Sequence, residues 1–132
     1  MIKKTVTYTD FNGNERTEDF YFHLTEQELT EWEYSVDGGL SGVLSRIVHS
    51  QDNKKLIEIF KDLLVRSYGV KTPDGRGFVK NKEVLDNFIY TQAFSDIYME
   101  LATNDKAASE FVNGIIPANL AAEAMKEIKV SE

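Results

Sequence analysis

Two histidines, His23 and His49, are the side chains of this sequence best suited to acid–base or metal chemistry. Their separation matches none of the HxH, HxxxH or HExxH patterns that place two imidazoles on one metal ion. The chain has no cysteine, which excludes thiolate metal sites and cysteine nucleophiles. A two-histidine site would need the fold to bring both rings together, so surface or capping roles are favoured. His49, at the end of a predicted helix, would suit the helix dipole as a cation.

Closely spaced carboxylates are the second candidates, because paired acids can carry out general acid–base catalysis. They occur at Glu18/Asp19, Glu26/Glu28/Glu31/Glu33 and Asp96/Glu100. Each set suits an exposed strand or helix face. Gly75-Arg76-Gly77 resembles part of a phosphate-binding loop, but no helix start follows it. The sequence therefore predicts no catalytic residue, no cofactor and no metal, and an enzyme is the least favoured class.

Composition indicates a folded, acidic protein of one domain spanning residues 1–132. The chain is 42% hydrophobic, with eight Phe, six Tyr and one Trp, which is too apolar for a disordered protein. Its net charge of -7 disfavours nucleic acid and anionic membranes as partners. No run approaches the roughly 20 apolar residues of a membrane span, and the N-terminus is not typical of a signal peptide.

Charge is unevenly distributed along the chain. Residues 54–82 contain eight basic and three acidic residues, a net +5 within an acidic protein. This basic stretch could bind an acidic partner. The alternative, which experience of charge runs favours, is an ordinary solvated helix face and loop.

Residues 2–24 are predicted to form a β-hairpin. Apolar residues alternate on both arms, and Asn12-Gly13 between them is a strong hairpin signal because both residues tolerate positive φ. An isolated hairpin is marginally stable, so it must pack on helices or pair its edge with another chain.

Helical patterns dominate the remainder. Thr25 and Glu28 form a capping box, and Trp32 lies on the stripe that follows, where a core position is favoured over an interface anchor. Residues 52–68 have the clearest apolar face and should form the central helix, ended by Gly69. Residues 70–81 are predicted to be a loop with a turn at Pro73-Asp74-Gly75. Further helices should begin at Asn81, at Thr91 and at Thr103 or Asn104, with a break near 90–92.

The predicted fold class is α+β and mostly helical: an N-terminal β-hairpin followed by a compact bundle of five to seven short helices. Within the single domain, residues 2–24 are the hairpin, 25–114 the helical core, and 115–132 an apolar connector and C-terminal helix. The C-terminal helix could pack on the body or dock into a partner.

Several segments resemble the tail assembly chaperones of long-tailed, siphovirus-type bacteriophages. They are 4–13 (KTVTYTDFNG), 16–22 (RTEDFYF), 64–70 (LVRSYGV), 98–103 (YMELAT) and 111–117 (FVNGIIP). The resemblance covers most of residues 2–118 and lies in the overall order of segments, without a catalytic signature. It implies a protein that binds the tape measure protein, keeps it soluble, and helps recruit the major tail protein during tail tube assembly. It also implies work in the host bacterial cytoplasm and absence from the mature virion.

Two other functions remain open. The protein could be a structural tail or head-completion protein that forms rings in the virion, or a small host-directed inhibitor. A homo-oligomer is compatible with all three.

Apolar residues near the C-terminus are the candidate client-binding surface, together with the hairpin edge. The candidates are Phe111, Val112, Ile115, Ile116, Leu120, Ala124, Met125 and Ile128. A methionine suits irregular partners because its side chain adapts. The alternative, which is favoured for each residue, is packing within the monomer.

Overall fold

The computed structural model describes residues 1–35 and 53–115, and all structural statements below concern these residues. They form four strands and five helices. The strands are β1 (Ile2–Thr9), β2 (Glu15–Phe22), β3 (Tyr68–Lys71) and β4 (Phe78–Val79); the helices are α1 (Glu26–Ser35), α2 (Asn53–Ser67), α3 (Lys82–Ile89), α4 (Gln92–Thr103) and α5 (Asp105–Ile115). No helix in these ranges is long and apolar enough to cross a membrane.

The predicted N-terminal hairpin is present. Strands β1 and β2 pair antiparallel from Ile2 opposite Phe22 to Thr9 opposite Glu15. In the turn, Gly13 has a φ of 85°, and the Asp10 carboxylate accepts hydrogen bonds from the backbone N–H groups of Asn12 and Asn14, each at 2.9 Å. An aspartate side chain that satisfies the turn's own backbone holds the two strands in register.

The predicted fold class is wrong in its architecture, although α+β is right. Residues 70–81, predicted to be a loop, contain most of a second hairpin, which begins at Tyr68 and extends the first into an antiparallel sheet of order β1-β2-β3-β4. Strand β3 follows α2 directly and pairs with β2, with Phe22 opposite Tyr68, and Val70 pairs with Val79 of β4. The helices therefore pack on a four-stranded sheet and do not form a separate bundle.

Gly69 has a different role from the one predicted. Helix α2 ends at Ser67, and Gly69 lies within β3 opposite Tyr21. A Cβ atom at this position would lie 2.7 Å from the ring of Phe78. The absent side chain therefore allows Phe78 to cross the strand closely.

The helix start signals are confirmed where the structure describes them. Glu28 donates its backbone N–H to the Thr25 hydroxyl at 3.2 Å, and its carboxylate accepts the Thr25 N–H at 3.0 Å. Asn81 caps α3, and Thr91 caps α4 after the predicted break. Asn104 accepts the backbone N–H of Ala107 at 3.1 Å at the start of α5. Two predicted helices lie outside the described residues: the helix that ends at His49 and the C-terminal helix.

An aromatic cluster fills the space between the sheet and the helices. Phe22, Phe88 and Phe111 are almost fully buried, with the Phe22 ring 5.7 Å from Phe88 and 5.2 Å from Phe111 between ring centres. Leu63 and Leu64 of α2 are also buried, as predicted for its apolar face. Aromatic pairs at these distances add to the stabilisation from buried area.

Gly114 of α5 packs against Ile2 of β1 so closely that a Cβ atom would collide with the isoleucine side chain. We expect Gly114→Ala to destabilise the protein, because overpacking costs about 1–3 kcal/mol and the better helix propensity of alanine offsets only about 1 kcal/mol. In an Ile2→Ala background the collision is removed, so the same change should be neutral or stabilising. Urea unfolding of the two single variants and the double variant measures this reversal of sign. Additive free energies would contradict it.

Candidate protein-binding site

A groove with apolar walls opens between the end of α2, strand β3 and the start of α3. We call it the basic groove. It has a volume of about 360 Å³ and is lined by Val65, Arg66, Tyr68, Lys80, Asn81, Lys82, Val84 and Leu85. The four apolar or aromatic members are all half-buried. Apolar side chains held at partial exposure are typical of surfaces that a partner can cover.

Tyr68, which lines the basic groove, is held in place by contact with the core. The Tyr68 ring stacks on Phe88 with ring centres 4.2 Å apart and an angle of 21° between the planes. Burial raises the pKa of the Tyr68 hydroxyl, so this side chain is neutral at physiological pH. A rigid aromatic side chain with one exposed edge contributes contact area at little cost in conformational entropy.

Apolar surface continues on the same face of the sheet beyond Tyr68. Val70 is two residues further along β3 and therefore points to the same side, and Val79 is its partner on β4. Val70 and Val79 are 44% and 38% exposed. The described helices thus leave this end of the sheet uncovered.

Cations border the basic groove. The side chain of Lys82 is 91% exposed and pairs with Asp86 one helical turn on, at 3.0 Å. Arg66 is exposed, with its guanidinium carbon 4.9 Å from the centre of the Trp32 ring. Lys61, also exposed, precedes Val65 by one turn of α2 and lies on the same helix face. The exposed pair of Lys82 and Asp86 is weak, so Lys82 can exchange Asp86 for a carboxylate of a partner.

Lys80 lines the basic groove and joins three elements. Its ammonium group donates to the backbone carbonyl of His23 at 2.6 Å, to Glu28 Oε2 at 2.6 Å and to the carbonyl of Arg66 at 2.9 Å. An ammonium group has three N–H donors, so these contacts match its full capacity. Lys80 therefore connects the end of β2, α1 and the end of α2.

Glu28 serves the capping box and Lys80 at the same time. Its Oε1 accepts the Thr25 backbone N–H, and its Oε2 accepts from Lys80. Burial alone would raise the pKa of this carboxyl group, but the hydrogen bonds from Lys80 and Thr25 outweigh burial and lower the pKa. Glu28 is therefore ionised at physiological pH, as the contact with Lys80 requires.

His23 lies beside this junction, with its Nδ1 atom buried and without a hydrogen-bond partner in the described structure. Burial lowers the pKa of its imidazole, and the N-terminal ammonium group and Lys80 lower it further. The native state therefore holds His23 neutral. Within the described residues, no group of three or more His, Cys, Asp or Glu side chains is arranged to hold a metal ion.

The lowered pKa of His23 predicts a loss of stability in mild acid. Above about pH 6.5 the imidazole is neutral in both states, whereas below it the unfolded chain binds the proton more tightly than the native protein. The free energy of unfolding should therefore fall as the pH decreases from about 6.5 towards the native pKa. Urea unfolding at about pH 7.5 and about pH 5.5 should show a larger loss for the wild type than for His23→Gln. Equal losses of stability in the two proteins would show that His23 does not contribute to the pH dependence.

The carboxylates considered for catalysis take part in hydrogen bonds and ion pairs with neighbouring side chains. Glu18 accepts a hydrogen bond from the Tyr8 hydroxyl, which together with burial raises the pKa of Tyr8 to about 12. Asp19 accepts from the Thr5 hydroxyl at 2.6 Å. Glu100 pairs with Lys4 at 3.0 Å, and Asp96 accepts from Gln92 at 3.1 Å. These contacts spread the acids over several elements and do not converge on one pocket.

Gly75-Arg76-Gly77 is the turn of the second hairpin. Gly75 has a φ of 77°, and Asp74 accepts hydrogen bonds from the Thr72 hydroxyl at 2.7 Å and the Arg76 backbone N–H at 3.1 Å. The predicted turn at 73–75 is thus confirmed. Its glycine serves backbone geometry and not phosphate binding.

A family model described as phage tail assembly chaperone matches residues 1–132. The chain belongs to this family. No curated protein matched the chain, and no solved structure did. The resemblance found in the sequence is therefore confirmed over the full length. Membership of this family implies tail proteins in general as partners and suggests a non-enzymatic role, so a protein-binding surface is the functional feature to locate.

The predicted client-binding residues of this chaperone fall into two groups. Phe111, Val112 and Ile115 are buried in the core, at 1%, 7% and 0% exposure, and the Ile115 carbonyl accepts the Leu24 backbone N–H at 2.8 Å. This burial agrees with the alternative of packing within the monomer. The others lie outside the described residues: Ile116, Leu120, Ala124, Met125 and Ile128. Client binding by this set remains a prediction.

Sequence reasoning missed the basic groove as a surface. The net charge of residues 54–82 was the available signal, since all three lining cations lie in that stretch. The apolar walls could not be found in the same way, because α2, β3 and α3 come together only through the unpredicted second hairpin.

The tip of the first hairpin offers a second cleft, which is less suited to an apolar client. Phe11 and Tyr90 are 78% and 73% exposed there. The cleft between them is walled by polar groups such as Asp10 and Arg16, which pair at 2.6 Å. Its lining therefore mixes aromatic with charged side chains.

Proposed function

We propose that this chaperone binds the tape measure protein of its own phage, keeps it soluble, and helps recruit the major tail protein while the tail tube assembles. The observation that carries the proposal is the family match over residues 1–132. The basic groove supports it, because a chaperone needs apolar surface that a client can cover. The site of action we propose is the host bacterial cytoplasm.

Co-expression with the tape measure protein of the same phage tests the proposal. We expect the soluble fraction of the tape measure protein to increase when this chain is present, and the two proteins to co-purify. Phe88→Ala, which disrupts the core, serves as the control for a chain that is expressed but not properly folded. A tape measure protein that stays insoluble and fails to co-purify with the wild type would overturn the proposal.

Recruitment of the major tail protein is tested by adding it as a third component. The proposal expects the major tail protein to be retained by the complex of chaperone and tape measure protein. Retention equal to that on the tape measure protein alone would remove this part of the function.

Mass spectrometry of purified virions tests where the protein ends up. A chaperone that acts only during assembly should be absent from the finished particle. Stoichiometric presence would favour the alternative role as a structural tail or head-completion protein.

A further inference from the structure

The basic groove has a chemistry that specifies its partner more closely than the family does. We propose that it binds an acidic amphipathic helix of the client, with the apolar stripe of that helix on the groove walls and its carboxylates against the bordering cations. The inference rests on the proposed function, because it takes the client to be the tape measure protein. It adds the location of the site and the charge of the segment that binds there.

Charge complementarity is the first argument. The lining includes three cations, Arg66, Lys80 and Lys82, and no acidic residue. Lys80 is held internally by Glu28 and two carbonyl groups, which leaves Arg66 and Lys82 on the exposed border. Lys61 extends this border along α2. In a protein of net charge -7, a border of this kind favours carboxylates and disfavours basic segments.

The apolar walls provide the second argument. Val65 projects from α2, and Val84 and Leu85 from the first turn of α3, with the anchored ring of Tyr68 between them. The walls thus come from two helices that are separated by an open space of about 360 Å³. Side chains at positions i, i+3, i+4 and i+7 of a partner helix suit such a groove.

A strand is the less suitable occupant. The nearby sheet edge is β4, which has only two residues, Phe78 and Val79. Strand addition draws its affinity from a run of backbone hydrogen bonds, and so short an edge offers very few. Nucleic acid is disfavoured by the net charge of the protein, because phosphate binding depends on an excess of positive charge.

Overlapping 25-residue peptides spanning the tape measure protein provide the probe. Their binding to the full chain is measured by fluorescence anisotropy. We expect the tightest binders to be acidic and amphipathic, and their affinity to fall as the salt concentration rises. A dT20 oligonucleotide is measured in parallel and should not bind. Tightest binding by basic or uncharged peptides, or by the oligonucleotide, would overturn the proposal.

Two charge reversals locate the site. Lys82→Glu should weaken the best peptide by about tenfold, because a side chain 91% exposed on the groove border becomes repulsive. Lys106→Glu is the matched control, since Lys106 is exposed on α5 and outside the groove lining, and should change the affinity less than twofold. If Lys82→Glu and Lys106→Glu change the affinity for the peptide equally, the proposal is overturned.

The wall is tested separately by Val84→Ser, which replaces the two methyl groups with a single hydroxyl group and so makes the side chain smaller and polar. We expect it to weaken peptide binding by about tenfold, because less apolar area is removed from water in the complex, whereas Lys106→Glu should not. If Lys82→Glu and Val84→Ser leave peptide binding intact while the full tape measure protein still co-purifies, this inference fails and the proposed function stands. If neither peptides nor the tape measure protein bind the wild type, both fail.

Analytical ultracentrifugation of the wild type and Lys82→Glu tests whether the groove is instead an interface between two copies of the chain. If the wild type is an oligomer and Lys82→Glu dissociates it, the groove binds a second copy and the proposal is overturned.

Discussion

Replacement of Phe88 by alanine is expected to reduce the free energy of unfolding by about 3–5 kcal/mol, because it leaves a cavity in the centre of the aromatic cluster. Phe88 is fully buried. Its ring centre lies 4.2 Å from Tyr68, 5.1 Å from Phe20 and 5.3 Å from Phe94. These rings come from β2, β3 and α4, so one truncation weakens the contact of α3 with three elements. For a domain of marginal stability, a loss of this size is a large part of the total.

Two variants control this prediction. Phe11→Ala removes the same side chain from the hairpin tip, where it is 78% exposed, and should change the stability by less than about 0.5 kcal/mol. Phe88→Leu keeps most of the volume and should cost less than Phe88→Ala, about 1.5 kcal/mol. Urea unfolding followed by circular dichroism gives all three values. Similar losses for Phe11→Ala and Phe88→Ala would contradict the assignment of Phe88 to the centre of the core.

Signals confined to a few residues were predictable from the sequence. Thr25 and Glu28 form the capping box, Asn81 and Thr91 are N-caps, and the break near 90–92 separates α3 from α4. The first hairpin was predictable for the same reason, since its two eight-residue strands show alternation. In each case the residues that determine the structure are neighbours in the chain.

The second hairpin could not be predicted in this way. Strand β3 has four residues and β4 has two, which is too short for a period of two to stand out. What stabilises them is pairing with β2, more than forty positions earlier, and the packing of Phe78 over Gly69. The turn chemistry around 73–75 was recognised, but the same chemistry occurs in loops and in hairpins.

The sequence could not show which apolar residues of the candidate site are buried and which are exposed. An apolar stripe such as Phe111, Val112 and Ile115 predicts a buried helix face without saying what buries it. In the structure these residues cover the sheet of their own chain. The basic groove, by contrast, joins residues 65–68 to 80–85, which lie far apart in the sequence and cannot form one stripe. Burial within the chain and exposure in the groove are properties of the tertiary arrangement.

Lys80 is the residue whose role the sequence concealed most completely. It was counted as one of eight basic residues in the stretch 54–82, where a solvated face was the favoured interpretation. Its main partner, Glu28, is fifty-two positions away. The pair has side-chain exposures of 20% for Lys80 and 30% for Glu28, so water screens it only in part.

Replacement of Lys80 by methionine should therefore reduce the free energy of unfolding by about 2–4 kcal/mol, although methionine has a similar length and is apolar. The change leaves the Glu28 carboxylate and the carbonyls of His23 and Arg66 without their shared donor. Lys82→Met is the matched control. It removes an ammonium group from a side chain that is 91% exposed, and should cost less than about 1 kcal/mol.

In acid, the free energy of unfolding of Lys80→Met should come closer to that of the wild type. The contact with Lys80 lowers the pKa of Glu28, so its stabilisation is present above the unfolded pKa of the carboxyl group and is lost as the pH falls through the native pKa. Urea unfolding at about pH 7 and about pH 3.5 should show the deficit of Lys80→Met shrinking in acid, while that of Lys82→Met stays small at both values. A second check is the double variant Lys80→Met/Glu28→Gln, which should be more stable than Lys80→Met alone because no unpaired carboxylate remains. A deficit independent of pH and unchanged by Glu28→Gln would mean that the two carbonyls, and not the ion pair, make Lys80 necessary.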